Sequence, residues 1–188
     1  MAKYLKPEVL AQLDEYRRKI FALREEAYQL TNIDVLDNDT LSALSIYEIV
    51  RQYDPDYNIN FARNGEDAKS LGVDIEMKAS RIERKKRSGL YALAGFQFHA
   101  MGNIEYDRYI LVTRDKATLS LIRIYDIAGA ENCLQIQAHL LAEREAWLAR
   151  GRKDQAKMKH DVIQLPEALL QTFTSTSSTI DGVEVVRA

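Results

Sequence analysis

The chain has 188 residues, 46% of them hydrophobic and only 8 Gly and 3 Pro, which describes one ordinary globular domain and excludes fibrous and low-complexity classes. A formal net charge of −2 leaves any nucleic-acid binding to local basic clusters rather than to the overall field. Apolar runs fall far short of a bilayer span, the N-terminus lacks the apolar core of a signal peptide, and the single Cys133 excludes an internal disulfide or a thiolate metal cluster; the expectation is a cytoplasmic protein with no membrane contact.

Residues 7–30 read as a helix opened by Pro7 and rich in good helix formers. Val9, Leu13, Tyr16, Ile20, Leu23, Ala27 and Leu30 recur at alternating spacings of four and three, a seam that packs either on the chain's own core or on a second copy. Asp37 to Thr40 form a loop and cap before a second helix near 41–52, which Tyr53-Asp54-Pro55-Asp56 ends. The expected layout is a single domain: a helical region over 1–52, a core over 60–170 and a tail over 174–188.

The segment 63–80 carries the most chemistry. Val73, Ile75 and Met77 alternate with Asp74, Glu76 and Lys78, so a strand here turns its apolar set to a core and projects Glu76 and Lys78 together on the other face. Asp67 stands nine positions before Glu76, with the turn residue Gly72 between them. Phosphodiester cleavage needs a hard cation to neutralise phosphate charge and lower the pKa of an attacking water, and magnesium is held by one or two carboxylates plus waters and phosphate oxygens. Asp67 and Glu76 supply such carboxylates, and Lys78 supplies a compact positive charge to orient the water or stabilise the transition state. Glu83-Arg84-Lys85 and Asp67-Ala68-Lys69 also fit acid-x-Lys, and a half-buried strand with an ordinary solvated face is the plain alternative.

Beyond this strand Arg81, Arg84, Lys85, Lys86 and Arg87 crowd together, within reach of the same phosphate backbone. A second basic cluster, Arg150, Arg152, Lys153, Lys157 and Lys159, follows a later helix. In the apolar stretch 90–103, Gln97, His99 and Asn103 share one face if the chain is extended, and such side chains read base edges, Gln and Asn especially against adenine. The β-branched runs 108–113 and 119–127 form a hairpin, a helix spans about 130–150 with Gly151 as its stop, and 162–165 is a short strand before a short helix opened by Pro166. The tail is expected to be a loose hairpin around Asp181-Gly182 or disordered.

The order of helices, Gly65-Glu66-Asp67-Ala68, Asp74-Ile75-Glu76-Met77-Lys78-Ala79-Ser80, a basic connection, Phe98-His99-Ala100-Met101-Gly102-Asn103, a hairpin ending in Ile124-Tyr125-Asp126-Ile127, a helix and Lys159-His160-Asp161-Val162-Ile163-Gln164-Leu165-Pro166 resembles the PD-(D/E)xK type II restriction endonucleases, loosely over residues 10–170. The resemblance implies an α/β fold with a mixed central sheet of about five strands flanked by helices, and a magnesium-dependent endonuclease acting on double-stranded DNA as a homodimer. It makes Asp67 and Glu76 metal ligands and Lys78 the catalytic lysine, and gives the dimer contact to the N-terminal helices. Glu66-Asp67 stands where the family has Pro-Asp, and Asp74 is the rival for the first acid. Two other classes compete: a DNA-binding or assembly module of this fold without catalysis, and a protein-interaction domain working through its heptad helix.

Overall fold

The computed structural model describes residues 6–32, 38–61, 66–82, 95–115, 120–150 and 161–188. The chain divides into two compact units, residues 1–44 and 45–188.

In the first unit, helix α1 (Pro7–Thr31) begins at its proline and ends at Asn32, whose left-handed conformation lets its N–H return to the Tyr28 carbonyl. Arg17 and Arg18 both pair with Asp14, one turn away, and Lys19 pairs with Glu15. Along the seam Leu13, Tyr16, Ile20 and Leu23 are all exposed, at 47–66%. Helix α2 (Asn38–Val50) carries the chain into the second unit and begins three residues earlier than the sequence pattern suggests.

The second unit is mixed α/β. Among the described residues its strands are β1 (Asn58–Ile59), β2 (Ala68–Ser70), β3 (Val73–Ile82), β4 (Phe96–His99), β5 (Arg108–Asp115), β6 (Leu121–Ala128), β7 (Val162–Leu165), β8 (Thr176–Ile180) and β9 (Val183–Arg187); its helices are α3 (Ala130–Ala149) and the single turn α4 (Glu167–Leu170). Seven strands make one mixed sheet in the order β1-β2-β3-β5-β6-β9-β8, with β3–β5 and β6–β9 parallel and the other pairs antiparallel. Strands β4 and β7 form a separate antiparallel ribbon.

The sheet is larger than the five strands the sequence suggests, for two reasons. β1 and β2 have two and three residues, too short for a period of two to register. The tail, expected to be a loose hairpin around Asp181-Gly182 or disordered, is a hairpin at that turn, with a regular register and an inner strand that lies parallel to β6 and buries Val183, Val185 and Val186. Its turn is Asp181-Gly182, both at positive φ, the pairing that two-residue hairpin turns favour.

Each face of the sheet buries its own apolar layer. Ile75, Ile110, Val112, Ile124 and Val185 pack with Ile46, Ile49 and Val50 from the end of α2 and with Tyr57. On the opposite face Tyr109, Leu111, Tyr125 and Ile127 meet Cys133, Ile136, Leu140 and Trp147 along one side of α3, together with Phe96, Phe98, Ile163 and Leu165 from the inner side of the ribbon. Glu76 and Lys78 emerge on this second face, because Ile75 and its period-two partners take the first.

Candidate active site

The β2–β3 hairpin explains the nine-residue spacing between Asp67 and Glu76. Ser70 pairs with Val73 and Ala68 with Ile75 around the two-residue turn Leu71-Gly72, so one further step sets Asp67 across from Glu76. The Asp67 N–H bonds the Ile75 carbonyl at 3.1 Å, and the Met77 N–H donates to Asp67 Oδ2 at 2.8 Å. Lys78 Nζ forms an ion pair with Glu76 and stands 3.8 Å from Asp67 Oδ2. The three side chains singled out by the sequence therefore converge on one point.

Asp74 does not join them. It lies toward the turn, where it pairs with Lys69 at 3.3 Å, and Lys69 also pairs with Glu66 at 2.9 Å. The acid-x-Lys match at residues 67–69 thus ends in a surface ion pair, whereas the Glu76 side chain is 7% exposed and Lys78 is 26% exposed. Burial pushes the Glu76 carboxyl above its ordinary value, the Lys78 ammonium pulls it back, and the neighbouring Asp67 charge pushes it up again. Lys78 Nζ also lies over the Phe98 ring, 5.6 Å from its centroid, so the inner face of β4 forms one wall of the site. Ser80, two residues further along the same face, donates to the Gly95 carbonyl at 3.3 Å and fixes the start of β4 against β3.

Tyr106, which sequence reasoning missed, belongs to this site. Burial and the nearby Glu76 charge push its phenol above its ordinary value. It lies in the loop between β4 and β5, where no periodicity marks it; the tyrosine-rich run Tyr106-Asp107-Arg108-Tyr109 is the one available signal.

Gln97 and His99 are exposed on the outer face of the ribbon, as the alternation predicts. Gln97 pairs across the ribbon with Gln164, also exposed, and His99 with Val162. Gln164 was legible in the alternation of Val162-Ile163-Gln164-Leu165 but becomes a candidate only through this pairing. Asn103 is not on β4, which ends at His99: a turn held by Gly102 N–H to His99 carbonyl, 2.9 Å, separates it from the other two. Arg84, Lys85 and Lys86 lie outside the described residues, as do Arg152, Lys153, Lys157 and Lys159. Cys133 is buried, its thiol pushed up to about 11 by burial and unsuited to nucleophilic work.

Among the described residues no group of three or more His, Cys, Asp or Glu is arranged to hold a metal ion. Two carboxylates beside a lysine is a hard oxygen donor set, which fits magnesium, a cation that completes its shell with waters and substrate phosphates, and does not fit a thiophilic metal. No described helix is long and apolar enough to cross a membrane. No protein-family model matches the chain, and no curated protein is significantly similar to it.

Proposed function

We propose that the chain is a magnesium-dependent endonuclease that hydrolyses double-stranded DNA at a short specific site, with a restriction-endonuclease-like core. The observation that carries this reading is the convergence of Asp67, Glu76 and Lys78 on the sheet face that also carries the β4–β7 ribbon.

Asp67 and Glu76 would hold the cation, which when bound supplies charge neutralisation at the scissile phosphate and a more acidic water. Lys78 brings its ammonium to the same point and steadies charge on the non-bridging phosphate oxygens or orients the attacking water. Met77 N–H fixes Asp67 Oδ2, and Phe98 limits the path of the lysine. Gln97, His99 and Gln164 present donors and acceptors from a two-stranded ribbon, an element that the major groove of duplex DNA admits. Arg84, Lys85 and Lys86 follow β3 in sequence and are assigned to phosphate contacts.

Cutting both strands in one encounter needs two such sites related by a two-fold axis. The exposed apolar seam of α1 supports a homodimer formed through Leu13, Tyr16, Ile20 and Leu23. Incubating a supercoiled plasmid of known sequence with the protein, in magnesium and in chelator, tests the proposal. Discrete fragments only with magnesium support it; an intact plasmid in both, with the protein bound to it, leaves a DNA-binding module instead.

A further inference from the structure

The alternation of β4 turns Phe98 inward, 1% exposed, between the outward Gln97 and His99. Its ring lies against the Lys78 ammonium, 5.6 Å from centroid to Nζ, and meets the Tyr109 ring edge to face, 6.2 Å between centroids and 67° between planes. Tyr109 stands opposite Glu76 in the β3–β5 register, and its hydroxyl donates to the Ile104 carbonyl. Both ends of β4 are fixed as well. Ser80 donates to the Gly95 carbonyl at 3.3 Å, the Ala100 N–H donates to the Asp161 carbonyl at 3.0 Å, and Trp147 of α3 donates to Asp161 Oδ2 at 3.2 Å. At Gly95 a Cβ would stand 3.0 Å from the Leu165 carbonyl oxygen, so the glycine lets β4 close onto β7. The Phe98 ring is thus set by packing on a strand held at each end.

We infer that Phe98 is a positioning residue for Lys78, its ring face holding the ammonium where Asp67 and Glu76 meet. The inference rests on the catalytic role proposed for Lys78. The lysine's carboxylate partners, Asp67 and Glu76, are also the ligands assigned to the cation, so the same oxygens serve two positive groups. Magnesium takes oxygen ligands and has no use for an aromatic face. The ring contact therefore persists when the oxygens are shared, and it keeps the end of a flexible four-carbon stem at the site. The negative face of the ring attracts the ammonium most strongly where water is excluded, and the Lys78 side chain is only 26% exposed. The strand that supports the lysine from below also presents Gln97 and His99 from its outer side, so a displacement of β4 on DNA carries the lysine's support with it.

The test replaces Phe98 in the full chain by para-fluoro- and then trifluorophenylalanine, which keep the shape of the ring and drain its negative face stepwise. Single-turnover cleavage of the mapped site in magnesium should slow in the same order, by roughly threefold to tenfold for the trifluoro ring, while duplex affinity in calcium and the melting temperature stay at wild type. Phe98→Leu, which keeps an apolar side chain and removes the ring, should slow cleavage at least as much. A second readout needs neither metal nor DNA. The Lys78 ε-methylene protons, followed by NMR in the free protein, should move downfield in Phe98→Leu as the shielding of the ring face is lost. Equal rates across the fluorinated series, or a Lys78 signal unmoved by Phe98→Leu, would overturn the positioning role and leave the nuclease reading standing. A wild-type protein that leaves plasmid uncut in magnesium would overturn both.

Discussion

Glu76 carries its charge in surroundings that oppose it. Burial raises its pKa and Asp67 adds repulsion, so a cation that binds both carboxylates relieves two penalties at once. Magnesium should therefore stabilise the wild-type protein by about 2.7 kcal/mol at a hundredfold excess over its dissociation constant, and so raise its melting temperature. Asp67→Asn keeps an acceptor for the Met77 N–H but removes a ligand charge; differential scanning fluorimetry should show its magnesium response lost. An equal response in both proteins would place the cation elsewhere. The choice between Asp67 and Asp74 shows where the sequence stops informing. Alternation sets Asp74 and Glu76 on one face and favours neither acid, and only the register of the β2–β3 hairpin brings Asp67 to Lys78 and leaves Asp74 to Lys69.

At the scale of elements, β3 is legible by its alternation, β5 and β6 by their β-branched runs, α3 by its length, and β7 and the tail's turn by their flanking Pro166 and Asp181-Gly182, while β1 and β2, of two and three residues, are too short to register. The turn that places Asp67 holds Leu71 at φ 50, in the left-handed region that a leucine occupies at a cost, with its side chain 83% exposed. Leu71→Asn should raise stability by roughly 0.5–1 kcal/mol without altering cleavage, and a lower urea midpoint would contradict the turn. Ribbon substitutions should act on specificity instead. Gln97→Ala or Gln164→Ala should each cost on the order of 1–3 kcal/mol of affinity for the cut site and little for random duplex, read in calcium to block turnover. Equal losses on both duplexes would assign the ribbon to the backbone. For α1, Ile20→Glu with Leu23→Glu should give a folded monomer that nicks slowly; sedimentation of wild type as one 21.5 kDa chain while it cuts both strands would rule out the dimer.

Taken whole, the second unit sets the candidate site and a buried ion network on opposite faces of its sheet. Away from the candidate site, Arg108 forks onto Asp126 at 2.7 Å through both Nε and Nη2 and also holds Asp54, while Tyr53 donates to Asp126 at 2.9 Å. This network joins the residues after α2 to β5 and β6. Arg108→Leu leaves Asp126, 4% exposed, without its cation and should cost about 3–5 kcal/mol in urea unfolding. Burial alone raises the Asp54 pKa, but hydrogen bonds from Arg108 and Ser70 outweigh it and hold the carboxyl below its ordinary value. A depressed carboxylate stabilises the fold above its unfolded pKa and loses that contribution as pH falls through the folded one, so stability should decline below about pH 4. Asp54→Asn should be less stable at neutral pH and decline less in acid; an unchanged acid limb would remove Asp54 from the account. The central claim is that Lys78, between Asp67 and Glu76, carries phosphodiester hydrolysis, and single-turnover cleavage of a DNA duplex in magnesium tests it most directly. Lys78→Ala is predicted to bind the duplex as wild type does and to leave it uncut, while Lys85→Ala still cuts; wild-type cleavage by Lys78→Ala, or a dead Lys85→Ala beside it, would contradict the account.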